Sequence, residues 1–290
     1  MYPSVRDGIL LWAFPSIKEG LDALGFDAVE LEFDRECSVH AIRPDDGKSR
    51  LKLESPEEID EFRKQLEADC VRISALLMSN KFDNPDFDFE VNWTVKAVKA
   101  AGALGIPTVR IDAVMHGERN LPVERNVGIF SEAMSRVLDA TSDLEVDMGV
   151  ENHGFQGNNP EFLDAMLAKV NSPRLGLTID TGNFYWRGHP LSRVYEIIER
   201  FAPYCRHTHA KNIAYPPEKR EIEREIGWEY GKYVSMMEDG DIDHRRVVQI
   251  LKKAGYDRDL CLEDESLGKW TGEDRIAAMK RDADFIRRIL

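Results

Sequence analysis

No run of about 18 apolar residues occurs in the 290-residue chain, which excludes a helix that spans a membrane. Its first residues, MYPSVRDGILLWAF, lack a basic stretch leading into a long apolar one, so no secretory leader is expected. The four cysteines, Cys37, Cys70, Cys205 and Cys261, are widely spaced and form no CxxC pair. That argues against a disulfide scaffold or a zinc knuckle and fits reduced thiols in the cytoplasm. Neither GxGxxG nor GxxxxGKS/T appears, so the common phosphate-binding glycine turns are missing. Positive charge is scarce as well: 39 Lys and Arg stand against 53 Asp and Glu, a net charge of −14. Such a chain repels a phosphate backbone unless it carries a local basic patch. Only the mixed-sign stretch PPEKREIERE (216–225) comes near one, so nucleic acid is not an expected partner. No Pro/Gly/Ser-rich linker and no low-complexity segment divides the chain.

What is present is alternation. Short apolar runs suited to strands stand at 8–14, 27–33, 71–78, 108–115, 146–152, 175–182, 205–211 and 260–266. Helix signals fill the intervals. Ser55 is an N-cap followed by Pro56 and, three residues after the cap, Glu58. Asn159 and Pro160 repeat the plan, and Gly255 ends VVQILKKAGY as a C-cap. The final stretch, GEDRIAAMKRDADFIRRIL, reads as an amphipathic helix. Eight strands alternating with helices must pair in parallel. The expected fold is α/β, a (β/α)8 TIM barrel in a single domain of 1–290, with hydrophobic residues at 42%, enough for its core. A doubly wound open sheet is the alternative, disfavoured by the missing glycine turns. One long connection stands out at 212–240, after the seventh strand. Loops of that length in compact domains are usually functional. Its aromatics, Tyr215, Trp228, Tyr230 and Tyr233, suggest a lid over the barrel mouth or a peripheral helix on the rim.

In such a barrel, active-site groups sit at the C-terminal ends of strands. Four strand ends carry ligand-type side chains: Glu151, Asp180, His209 and Glu263. Twenty-nine residues separate Glu151 from Asp180 and Asp180 from His209, one strand–helix unit each. Fifty-four separate His209 from Glu263, one unit plus the long connection. Three carboxylates and an imidazole converging on one mouth repel one another and are costly to bury unpaired. One divalent cation resolves both problems. Oxygen and nitrogen donors without thiolate suit Mn²⁺, Mg²⁺, Co²⁺ or Zn²⁺ alike.

These segments resemble the xylose isomerase-like TIM-barrel superfamily, and within it the sugar phosphate isomerase/epimerase group. GVENHG is similar to that group's fifth-strand motif, LTIDTGN to its sixth, and HTHAKN to its seventh-strand H-x-K-D. GDIDHRRVVQILKKAGYDRDLCLEDES is similar to its terminal unit. The resemblance implies a metal held by Glu151, Asp180, His209 and Glu263. It also implies that Glu151 and Glu263 are the catalytic pair, one removing a proton and the other returning one. Two positions depart. Asn183 stands where many members carry a histidine that contacts substrate or a second metal, and Asn212 replaces the aspartate of H-x-K-D. The first departure argues against a multinuclear zinc site of the abasic-endonuclease kind.

A metal chelating the carbonyl and adjacent hydroxyl of a sugar would stabilise an enediolate once the α-proton leaves. The leading expectation is a metal-dependent sugar isomerase or epimerase with a small-molecule substrate. The same centre with a leaving group at the β-carbon would make a dehydratase or lyase on an inosose or keto-sugar. An abasic-site endonuclease fits the acidic charge poorly. No loop offers a phosphate cradle, which points to a non-phosphorylated substrate. Candidate substrate contacts are His153, at the parity of Glu151, Asn183, Lys211, Arg110 and Trp186, with Trp12 as a second aromatic wall. Each has a structural alternative: a supporting hydrogen bond for His153, an ion pair with Asp112 or Glu151 for Arg110, a surface position for Lys211. Glu30 or Glu32 can touch substrate from strand two, Glu265 lies on the rim, and His207 reads as a hydrogen-bonded core histidine. Oligomeric state is open, with a homo-oligomer allowed.

Overall fold

The computed structural model describes residues 1–45, 48–114 and 119–290. Its strands are β1 (Tyr2–Arg6), β2 (Ala28–Glu32), β3 (Ser38–Asp45), β4 (Lys48–Lys52), β5 (Arg72–Leu77), β6 (Thr108–Ile111), β7 (Asp147–Glu151), β8 (Leu175–Asp180), β9 (Cys205–His209), β10 (Asn212–Ile213), β11 (Val234–Ser235) and β12 (Asp259–Leu262). Eight of them form one parallel sheet in the order β12-β1-β2-β5-β6-β7-β8-β9. A parallel bridge from Ala210 to Leu262 joins its two ends. The bonds Ala210 N–H to Cys261 O (2.7 Å) and Glu263 N–H to Ala210 O (3.0 Å) complete the seam. The expected (β/α)8 barrel is therefore what the chain forms. Among the described residues no helix is long and apolar enough to cross a membrane.

Helix boundaries follow the capping signals. Ser55 and Glu58 exchange bonds in a capping box ahead of the helix Pro56–Asp69. The Asn159 side chain caps Pro160–Val170. Gly255, at φ +88°, follows the helix His244–Lys253 in a conformation that favours glycine. The C-terminal helix runs Gly272–Ile289.

The first strand lies elsewhere than expected. GILLWAF, at 8–14, is not a strand; Asp7–Leu10 is a short helix and Leu11–Ala13 a turn. The strand is the preceding YPSVR, paired with β12 on one side and β2 on the other. Its pattern is polar because Ser4 and Val5 alone are buried, and the neighbours enclose them. The apolar run instead drives Leu10 onto Gly20 of the next helix, where any Cβ would overlap the leucine side chain. A second difference is the antiparallel hairpin β3–β4, inserted between β2 and β5. Met115, at the end of the expected fourth strand, lies outside the described residues.

The long connection after β9 is folded. β10 pairs antiparallel with β11, and Tyr215, Trp228 and Tyr233 pack together with ring centroids 5.5–5.8 Å apart. Asn212 organises it. Its Oδ1 accepts from the amides of Ile213 (2.9 Å) and Ile242 (3.0 Å), and its Nδ2 donates to the carbonyls of Met237 (2.8 Å) and Ile242 (3.0 Å). An aspartate has no donor for those two carbonyls, so the departure at this position has a structural reason.

Thr181, just past the tip of β8, donates its hydroxyl to Lys211 O (2.9 Å) and meets Nε2 of the buried His244 at 3.0 Å. Burial pushes the His244 pKa down to about 4, against about 6.5 in an unfolded chain. Between those values the unfolded state binds the extra proton, so the stability His244 contributes is present above pH 6.5 and is lost as the pH falls towards 4. Urea unfolding is expected to show that the wild type loses about 2 kcal/mol more stability between pH 7 and pH 5 than His244→Asn does. Parallel pH profiles would contradict this.

Candidate metal centre

The barrel register places four polar side chains at one level. β7 ends at Glu151 and β8 at Asp180, which pairs with His209 at the end of β9. Glu263 directly follows β12 beside the seam. All four are buried. One donor atom from each lies within 4.8 Å of all the others.

His209 is held from below. Its Nε2 meets Glu30 Oε2 at 2.8 Å, while Glu30 Oε1 meets His207 Nε2 at 3.0 Å. His207 Nδ1 meets Asp259 Oδ1 at 2.9 Å, so His207 is the bonded core histidine its position suggested. Glu30, fully buried, supports the cluster from within and does not face the mouth. With Nε2 turned to Glu30, Nδ1 of His209 faces Glu151 Oε1 at 3.3 Å and Glu263 Oε2 at 3.2 Å. Neither pair is aligned as a hydrogen bond. His209 Nδ1, Asp180 Oδ2 and Glu263 Oε2 are buried atoms with no hydrogen-bond partner. Lys211 Nζ lies 3.0 Å from Asp180 Oδ2 and 3.3 Å from Glu263 Oε2, within ion-pair reach but also unaligned.

Asp180 and Glu263 are each fixed by their other oxygen, and Glu151 by both. Asp180 Oδ1 accepts from the amides of Gly182 (2.7 Å) and Asn183 (2.8 Å). Glu151 Oε1 accepts from Asn183 Nδ2 (3.1 Å), and Glu151 Oε2 is bonded by Arg110. Arg110 also donates to Met78 O (2.6 Å) and lies 3.1 Å from Asp112 Oδ1. Arg6, at the tip of β1, donates from Nη1 to Glu263 Oε1 at 2.5 Å.

The electrostatics follow from this crowding. Burial opposes charge on His209, but Glu263 and Glu30 overcome it and push its pKa up to about 10. Burial, with help from Glu263 and against Lys211, pushes Asp180 up to about 6. Burial also raises Glu263, yet His209, Lys211 and Arg6 outweigh it and hold the carboxyl well below its usual range. Without a metal, the cluster balances its acids with an imidazolium, an ammonium and two guanidinium groups.

Of the expected substrate contacts, Asn183, Lys211 and Arg110 touch the four-residue cluster. His153 stands one step out, with Nδ1 3.0 Å from Asp112 Oδ1 and its side chain half exposed. Trp186 packs its indole against Gly227 of the long connection, whose amide it also binds through its carbonyl oxygen. Glu32 pairs with Arg50 at 3.5 Å. Glu265 takes Lys211 Nζ at 2.7 Å and the Tyr230 hydroxyl at 2.8 Å. Trp12 is exposed at 47% and lies under Arg275. Arg6 went unseen in the sequence, because the first strand was expected two residues after it. Among the described residues two other groups, Glu30–His207–His209–Cys261 and Asp112–Glu151–His153, also bring donors within 4.8 Å. In the first, Glu30 is already bonded to both histidines, and in the second Asp112 is already paired with His153 and Arg110.

The chain belongs to the xylose isomerase-like TIM barrel family, whose model matches residues 20–289. Among solved structures it resembles the zinc-bound IolI protein (TM-score 0.73, 16% identity, 100% of this chain and 99% of that one). It also resembles a D-tagatose 3-epimerase-like protein (TM-score 0.68, 18% identity, 99% of each). A third is the mannonate dehydratase of Streptococcus suis serotype 2 (TM-score 0.66, 16% identity, 100% and 93%). At these identities the likeness is one of fold. An uncharacterized protein of Methanocaldococcus jannaschii is 26% identical over 139 residues, which span 46% of this chain and 42% of that protein.

Arg110 is almost fully buried between Glu151 and Asp112. Arg110→Met strips both buried acids of their shared cation and is expected to destabilise the metal-free fold by about 3–5 kcal/mol in urea titrations. A loss below about 1 kcal/mol, the scale of a surface pair, would contradict this account of the pairing.

Proposed function

We propose that the protein is a metal-dependent isomerase or epimerase of a sugar or sugar derivative. The observation that carries the reading is the set of orphaned atoms. His209 Nδ1, Asp180 Oδ2 and Glu263 Oε2 converge, buried and unbonded, within reach of Glu151. Buried polar atoms are rarely left without partners. One cation among these four side chains would satisfy them all. Glu30 would then orient His209 as a carboxylate orients a metal-bound histidine, by accepting a hydrogen bond from the N–H of its other ring nitrogen. The names of the zinc-bound and epimerase-like neighbours support the same reading.

When bound, a divalent cation supplies Lewis acidity that polarises a carbonyl and acidifies the neighbouring C–H. The residues then divide the work. Asp180 and His209, each tied by backbone or carboxylate bonds, act as fixed ligands. Glu151 and Glu263 stand on strands either side of β8 and β9 and exchange protons with the substrate carbons, one accepting and one returning. Asn183 holds Glu151 Oε1 in place. Lys211, on Glu265 and next to Asp180, would meet a substrate oxygen. A second reading keeps the same residues and expels a β-substituent, as a dehydratase or lyase would. The dehydratase among the similar folds favours keeping it.

Solvent deuterium exchange into a panel of ketoses with Mn²⁺ present tests both. Incorporation without change of skeleton supports isomerisation or epimerisation; loss of 18 mass units, the mass of water, supports elimination. Glu151→Gln is expected to abolish incorporation while weakening Mn²⁺ binding only partly. Full exchange in that variant removes Glu151 from proton transfer.

Metal binding should also depend on pH. His209 carries a proton at neutral pH in the metal-free protein, because its pKa is pushed up to about 10. Mn²⁺ must displace that proton, so its affinity is expected to rise about tenfold per pH unit between pH 7 and pH 9. Calorimetry showing an affinity flat over that range would remove His209 from the ligand set.

A further inference from the structure

Two arginines grip the two glutamates of the centre, and they are not equivalent. Arg110 approaches Glu151 from β6, its side chain only 5% exposed, with Nη1 on Met78 O and Nη2 shared by Glu151 and Asp112. Its Nε is likewise buried without a hydrogen-bond partner, but both terminal nitrogens are engaged, so neither edge of its fork is free. Arg6 approaches Glu263 from the tip of β1, its side chain 31% exposed beside a glutamate that is 5% exposed. Only its Nη1 is engaged. Its Nε is buried without a partner, and its Nη2 has none among the described residues. The Nε–Nη2 edge of a guanidinium is one of the two edges that match a carboxylate with two parallel hydrogen bonds. Here that edge is unused, on the most exposed cation directly bonded to the centre.

We propose that Arg6 binds an anionic group of the substrate through this edge, and that the substrate class is a carboxylate-bearing sugar derivative, a polyhydroxy acid or keto acid. The proposal rests on the metal-centred reading for the position of the reacting carbons, but not for the carboxylate contact itself. Glu30 and Asp7 also lie in the field of Arg6. Neither is bonded to it: Glu30 is committed to His207 and His209, and Asp7 to the amides of Gly8 and Glu32 and to His40. The substrate carboxylate would therefore not have to displace an existing partner. Binding there sets the anion beside Glu263 and directs the adjoining carbons towards the four-residue cluster. Nothing in this contact calls for a phosphate, in keeping with the missing glycine turns.

The test is calorimetric titration with gluconate and with sorbitol, which share a carbon skeleton and differ in the carboxylate. It is run on wild type, Arg6→Lys and Arg6→Met, each with Mn²⁺ and again in EDTA, with melting curves to confirm folding. Wild type is expected to prefer gluconate by about tenfold or more, as a charge-assisted bidentate contact allows. Arg6→Lys retains a cation beside Glu263 but lacks the fork, and its preference is expected to fall to about threefold or less. Arg6→Met is expected to show none. If wild type fails to bind gluconate or binds both probes alike, or if the preference survives in both variants, the proposal is overturned, the carboxylate in the last case being held elsewhere. If wild type binds no Mn²⁺ yet prefers gluconate in an Arg6-dependent way, the metal reading falls and the role of Arg6 stands.

Discussion

The bond from His209 Nε2 to Glu30 is the constraint on which the centre depends. It turns Nδ1 toward Glu151 and Glu263, where an unprotonated lone pair would face two carboxylate oxygens. That arrangement is stable only with added positive charge. In the metal-free chain the charge comes from a proton on the ring and from Lys211, Arg6 and Arg110. In the reading proposed here a cation replaces the proton. Glu30 is itself fixed because its other oxygen meets His207, which is anchored on Asp259. The orientation of the His209 ring is thus set by a buried relay that runs from β2 through β9 to β12.

The same crowding connects the centre to the long connection after β9. Lys211 spans Asp180 and Glu265, and Glu265 accepts the Tyr230 hydroxyl. One residue further, Asn212 holds the connection's two ends with four backbone bonds. Any movement of this segment over the mouth would be felt at Glu265 and, through Lys211, at Asp180. Through these bonds the segment is tied to the four-residue cluster.

Much of this was legible in the residues. β7, β8 and β12 are largely apolar strands that give way to ligand-type side chains at their C-terminal ends, and CRHTH of β9 follows one strand–helix unit after β8, so strand-end position and spacing sufficed to bring Glu151, Asp180, His209 and Glu263 together. Ser55, Asn159 and Gly255 marked helix ends because capping is local chemistry. What escaped notice depends on neighbours. YPSVR has no apolar pattern of its own and becomes a strand because β12 and β2 flank it, whereas GILLWAF is apolar enough for a strand but packs as a helical turn on Gly20. Misplacing that strand hid Arg6. The inward commitment of Glu30 was equally out of reach, since alternation shows which face a side chain takes but not how deep its partner lies. Asn212 looked like a lapse from a motif until its four bonds explained it.

The central claim is that Glu151, Asp180, His209 and Glu263 share one cation. Anomalous diffraction at the manganese edge, from crystals soaked in MnCl₂, tests it most directly. The account predicts a single strong peak bonded to one atom from each of the four residues at about 2.0–2.3 Å, with His209 contributing Nδ1. A map with no peak among them, or with the peak on Asp112 and His153 instead, would contradict it.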